Sequence, residues 1–199
     1  MRSPRMTSRR NLLLGAGALL LVRDALAQQV VQQGVRRAQG DVQVSGDNIV
    51  TGPDGQVVFV RDRDAVMLRK NSSLAFFANG FRLVTGAVLA VFSPGQPKEL
   101  RTATATIGIR GTATYIEADD ARTYVCTCYG EAVLEPLGEP AARETVRTRR
   151  HEQPRYIMAR GAPQMIAAAP MMNHTDAELQ LLEAMAGRAP ASFPGYTPR

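Results

Sequence analysis

Apolar residues along this chain fall in short runs broken by charged and turn-forming clusters. Val57 to Val60, Ala65 to Leu68 and Leu74 to Phe77 are apolar, and Arg61-Asp62-Arg63-Asp64 and Asn71-Ser72-Ser73 separate them. Strands recurring at this spacing predict a sandwich or barrel. Upstream, the alternation around Val42 and Val44 leads to Gly52-Pro53-Asp54-Gly55, where Pro presets one turn dihedral and Gly supplies the positive one. Phe81 to Phe92 is almost continuously apolar apart from Arg82 and Thr85-Gly86, and reads as the most buried hairpin.

The longest period-two stretch is Thr102 to Glu117, Thr-Ala-Thr-Ala-Thr-Ile-Gly-Ile-Arg-Gly-Thr-Ala-Thr-Tyr-Ile-Glu. As one unbroken strand it would put Ala105, Ile107, Ile109, Ala113 and Tyr115 on one face and the threonines with Arg110 on the other. Gly108 and Gly111 bracket Arg110 and predict a bulge, a bend or a close backbone approach. Arg110 is expected to tie neighbouring carbonyls or an acid such as Asp47 into the fold, with anion binding as the alternative.

Further strands are predicted around Thr123 to Cys128, Glu131 to Leu137 and, on an arginine-rich edge, Arg143 to Arg149. Gly161 to Asn173, with Pro163 and Pro170, suits an extended segment laid over the domain. One helix follows. Thr175-Asp176-Ala177-Glu178 matches a capping box, Gly187 stands ready to end the helix, and Leu179, Leu182, Met185 and Ala186 form its apolar stripe. The reading is all-β, a short-stranded sandwich or solenoid-like domain over 28–160, with a segment and capping helix over 161–188 and a loose tail over 189–199.

The motif Ile-Gly-Ile-Arg-Gly-Thr, with Gly108, Arg110, Gly111 and Thr112, is followed by Arg122-Thr123-Tyr124-Val125 and Tyr129-Gly130-Glu131-Ala132. Together with the upstream Gly46-Asp47 and Thr51-Gly52, this resembles the FecR-type domain over roughly Val35 to Leu137. The resemblance implies a periplasmic, all-β, non-enzymatic module of the kind found in regulators that relay receptor occupancy to a sigma factor. The sequence shows neither the central membrane helix nor the cytoplasmic anti-sigma segment of those regulators. The expectation is therefore a module that binds or senses an envelope protein or glycan.

The N-terminus reads as an export signal with a basic start, an apolar run from Leu12 to Val22 and a cleavage site at Ala25-Leu26-Ala27. Eleven residues are too few for a bilayer core, which takes about 20. Arg9 and Arg10 within Ser8 to Leu13 look like the twin-arginine export motif. Charge changes meaning once this leader is set aside. The whole chain carries +6, but residues 1–27 hold five Arg and one Asp, which leaves 19 basic against 17 acidic groups, or +2. A nucleic-acid binder, which needs a strongly basic face, is not expected, and nor is an integral membrane segment after the leader.

Candidate chemistry is confined to four residues. Cys126 and Cys128 emerge from the same face of a strand, where a disulfide between them would be strained. They are expected as a reduced or redox-active dithiol, a metal site or a bond to another chain. With His151 and His174, the only histidines, they would make a tetrahedral Zn or Cu(I) site if the fold brings the four together. No nucleophile elbow, phosphate loop or His-Glu-x-x-His motif is present, so no enzyme is expected.

Overall fold

The computed structural model describes residues 34–188. The predicted leader, with Arg9, Arg10, Ala25 and Ala27, and the 189–199 tail lie outside the described residues. Thirteen strands form: β1 Val35–Gln39, β2 Val42–Ser45, β3 Asn48–Thr51, β4 Gln56–Arg61, β5 Asp64–Leu68, β6 Ser72–Phe77, β7 Gly80–Val91, β8 Lys98–Arg101, β9 Ala105–Ala118, β10 Arg122–Pro136, β11 Glu144–Thr148, β12 Arg155–Met158 and β13 Ile166–Ala168. A single α-helix among the described residues, α1 Asp176–Met185, follows them. The fold is all-β with one C-terminal helix, as the alternation predicts.

Three long strands, β7, β9 and β10, organise the rest, because each takes part in two sets of pairings. The first half of β7 pairs with β6 and β8, and its second half with β5 and β9. Strand β9 pairs through Ala105–Arg110 with β8 and the end of β10, and through Ala113–Ala118 with β7 and the start of β10. The break in each strand lies at a positive-φ glycine: Gly86, Gly111 and Gly130. At Gly86 any Cβ would lie 2.1 Å from Ser72 Oγ and 2.6 Å from Ser72 Cα, so a side chain there is excluded. Strands that bend at such points carry a chain from one sheet layer to another.

Each bend also reverses which residues face the core. In β7, Phe81 and Leu83 join the main cluster before the bend, and Val88 and Ala90 join it after. In β9 the change is from Ile107 and Ile109 to Ile116 and Ala118, and in β10 from Val125 to Ala132 and Leu134. One extra residue at the bend restores the inward face, which a strict period of two would lose. Two expectations are corrected here. Phe81 to Val91 lies on one bent strand, β7, instead of a hairpin, because Gly86 bends without reversing the chain. Ala113 and Tyr115 do not share a face with Ile107 and Ile109, because Gly111 shifts the phase.

The outer face of β4, β5, β7, β9 and β10 carries a second apolar cluster, including Val58, Met67, Leu89, Val91, Tyr115 and Tyr124. Helix α1 covers it with Leu179, Leu182 and Ala186, and the segment before α1 adds Ala169 and Met172. Burial on both faces explains the continuous apolar runs in β4, β5 and β7, since a one-sided strand would alternate. Beneath the helix, Glu183 is buried and ion-paired with Arg188, and it accepts a hydrogen bond from the Tyr129 hydroxyl.

Candidate functional site

Cys126 and Cys128 lie on β10, where its register with β9 shifts between Thr127 and Tyr129. The Cys128 carbonyl is therefore free of the ladder and accepts the His151 backbone N–H at 3.0 Å, which docks the bend after β11 against the strand. His151 holds φ at 54° there, and Asn173, just before His174, holds 62°, both in the left-handed region. His174 is fixed from its C-terminal side by the helix cap. The Thr175 hydroxyl oxygen accepts the Glu178 N–H at 3.3 Å, and the Glu178 carboxylate accepts the Thr175 N–H at 2.9 Å.

These three elements bring the four predicted side chains together. The ligand atoms of Cys126, Cys128, His151 and His174 all lie within 4.8 Å of one another. Cys126 Sγ is 3.4 Å from His151 Nδ1, Cys128 Sγ is 3.4 Å from His174 Nε2, and the two ring nitrogens are 3.0 Å apart. Neither cysteine is in a disulfide. A zinc ion bound by sulfur at about 2.3 Å and nitrogen at about 2.0–2.1 Å places tetrahedral S···N edges near 3.6 Å and N···N edges near 3.3 Å. These three edges are a few tenths of an ångström shorter, within a cluster whose separations extend up to 4.8 Å.

The outer nitrogen of each ring settles its inner one. His174 Nδ1 donates to the Met172 carbonyl at 2.7 Å, and His151 Nε2 donates to Asp176 Oδ1 at 3.0 Å. With both rings neutral, two lone pairs would face each other at 3.0 Å. One proton can relieve one such opposition; a cation among the four atoms would accept all four lone pairs together. The outer acceptors are also the kind that orient metal-bound histidines.

The electrostatics without an ion show the same demand for positive charge. A hydrogen bond from the Cys128 thiol, aided by both histidines against the effect of burial, brings the Cys126 pKa down to about 4. Burial drives the Cys128 thiol well up, so the pair holds one thiolate. Burial alone would lower His151, but the Cys126 thiolate and Asp176 outweigh it and raise the imidazole's pKa. Burial would likewise raise Asp176, yet His151 and Arg150 hold it down.

Cys126, His151 and Asp176 are thus aligned as a nucleophile, a base and an orienting acid would be. A nucleophile must meet its substrate, and both sulfurs are buried while His151 is half-buried. Cys126 is 0% exposed, Cys128 1% and His174 4%. A closed set of four ligands with no open position is the arrangement of a structural metal site.

Other expected residues fare differently. Gly111, at φ 56°, sits at a bend where a Cβ would come within 2.9 Å of Pro94 Cα. Gly108 has ordinary room, 3.7 Å from Val133 Cβ, and Thr112 continues the β9 backbone. Arg110 is exposed, and among the described residues it makes no ion pair with Asp47 or any other acid; at the outer side of the bend its guanidinium is left to water. Asp176 and the Met172 carbonyl were not foreseen as parts of the site. Asp176 was legible only as a first-turn acid of the helix.

Residues 47–133 match the FecR protein family. The chain carries a FecR domain. Two crystal structures of a "putative anti-sigma factor" from Parabacteroides distasonis ATCC 8503 share its fold, each at 12% identity. One aligns with a TM-score of 0.50 over 61% of this chain and 58% of that one, the other with 0.52 over 67% and 63%. The chain thus spans about three-fifths of the length of those chains. No curated protein matches. Cys126 and Cys128 lie inside the matched FecR domain, whereas His151 and His174 lie beyond it. Among the described residues no helix is long and apolar enough to cross a membrane.

Proposed function

We propose that this protein is an exported, periplasmic FecR-type sensing module that binds an envelope partner without catalysis. In this reading it carries a closed Cys2His2 metal centre at Cys126, Cys128, His151 and His174. Zinc fits best, because a tetrahedral S2N2 donor set suits zinc, and Cu(I) is the other ion that such thiolates select. The observation that carries the metal assignment is the pair of imidazole nitrogens facing each other at 3.0 Å, with both outer nitrogens already donating and two sulfurs alongside. The ion would tie the segment before α1 to β10. The regulatory character of the FecR family supports the sensing role, and Arg9-Arg10 supports an export route that carries folded, metal-loaded proteins.

Elemental analysis of protein isolated from the periplasm tests this reading. One equivalent of zinc is expected in the parent and none in the Cys126→Ser, Cys128→Ser double variant; copper in place of zinc would name the other ion. Equal metal content in parent and variant would remove the metal centre from the proposal. The binding role is tested separately, by recovery of a discrete envelope protein or glycan on the immobilised protein.

A further inference from the structure

A trough crosses the outer face of the sheet beside the metal cluster, running from Gln39 and Gln56 past Lys70 and Tyr115 to Arg122 and Tyr156. Its volume is about 650 Å³, inside the range of roughly 300–1,000 Å³ typical of small-molecule sites. Acids and bases both line it, but they are not equally committed. Glu117 accepts from the Tyr115 hydroxyl at 2.7 Å and the Asn173 amide at 2.6 Å. Asp119 accepts two backbone N–H groups at 2.8 Å, and Asp54 accepts that of Asp41 at 3.3 Å. Each carboxylate is engaged in holding the wall.

Two of the three cations are not. Among the described residues, Lys70 Nζ has no acceptor, and the Arg122 guanidinium has only the face of Tyr156, 4.7 Å from the ring centre. Arg69 pairs with Glu178 at 2.7 Å, yet its Nε–H is buried without an acceptor. Gln39, Gln56 and Asn71 also offer side-chain amides with no partner among the described residues.

We infer that this trough is a binding site for an anionic saccharide, a sugar carrying a carboxylate or a phosphate. Lys70 and Arg122 meet the charge, the amides of Gln39, Gln56 and Asn71 meet hydroxyls, and the half-buried Tyr156 meets the apolar face of a ring. This deepens the binding role proposed above by giving it a place and a ligand class. The trough is also built onto the metal cluster, since Met172 and Asn173 form its wall and the Tyr115 ring stacks on His174 at 4.5 Å.

Titration calorimetry on the full metal-loaded chain tests the assignment with four probes: trigalacturonate, glucose 6-phosphate, neutral maltotriose and a tetraglutamate peptide. At least one anionic sugar should bind, at least about tenfold more tightly than maltotriose, because charge-assisted hydrogen bonds separate them. Lys70→Gln with Arg122→Gln, both at exposed side chains, should weaken that binding at least about tenfold while metal content and melting temperature stay as in the parent. Preference between uronate and phosphate identifies the source of the charge. The inference is overturned if neither anionic sugar binds, if maltotriose binds equally well, if the double variant binds like the parent, or if tetraglutamate binds best. A protein that keeps its metal and still recovers an envelope protein while ignoring every sugar would defeat this assignment alone, leaving the binding role in place.

Discussion

Removing the proposed metal ion should loosen the C-terminal part of the protein far more than the sheet. The four donors come from β10, from the bend at His151 and from the segment ending at His174, so the ion would bridge parts of the chain that are 25 and 46 residues apart. Helix α1 has ten residues, fewer than a helix needs to persist alone in water, about 12–15. It therefore depends on the seating of Leu179, Leu182 and Ala186 and on the fastening of His174 beside its cap. An ion present at about 1,000 times its dissociation constant stabilises the native state by about 4 kcal/mol. For a domain of this size, about 2–4 °C per kcal/mol, chelation should lower the melting temperature by about 8–16 °C. Thermal melts with and without chelator, paired with amide hydrogen exchange, measure this. Protection should fall first at 176–185 and persist in β7 and β9. If elemental analysis shows the metal gone while the melting temperature moves by less than about 2 °C and helix protection is unchanged, the bridging role is refuted.

Three further outcomes are expected. Asp176→Asn should weaken metal affinity by about 10–100-fold, because the carboxylate orients the His151 ring; competition with a chromophoric chelator reads this, and unchanged affinity would make Asp176 only a helix-capping acid. Glu183→Ala should destabilise by about 3–5 kcal/mol in denaturant titration, since it breaks the buried ion pair with Arg188 and removes the carboxylate that the Tyr129 hydroxyl bonds. Burial raises the Glu178 carboxyl, but Arg69 and Thr175 outweigh it and hold the pKa below its ordinary 4.5. Its contribution is thus present above pH 4.5 and lost as pH falls through the lowered value. Glu178→Gln should cost about 1 kcal/mol at pH 7 and flatten the acid limb of the stability profile; an acid limb as steep as the parent's would count against this.

Local chemistry reached as far as chain-neighbour interactions reach. The Thr175–Glu178 cap is written within four residues, and both halves of it form. Short apolar runs between turn clusters correctly indicate strands, because alternation and turn propensity act over a few residues. The Ile-Gly-Ile-Arg-Gly-Thr motif pointed to the FecR domain that residues 47–133 match. What a period of two cannot express is a change of phase. The inserted residues at Gly86, Gly111 and Gly130 matter only because each strand must keep facing the same core on both sides of a bend. Arg110 shows the same limit, since two flanking glycines indicate a corner but not which side of it faces water.

The sequence by itself determined the donors: two thiols one residue apart on a strand and two histidines, in a chain with no other residues of either type. Only the tertiary structure decided that they meet. Their meeting depends on β12 pairing beside β10, on the Cys128 carbonyl being released at a register shift to receive the His151 N–H, and on α1 packing over the outer face so that His174 points inward. Each of these is a contact between distant parts of the chain, set by burial and backbone hydrogen bonding across the sheet. No spacing along the sequence records them.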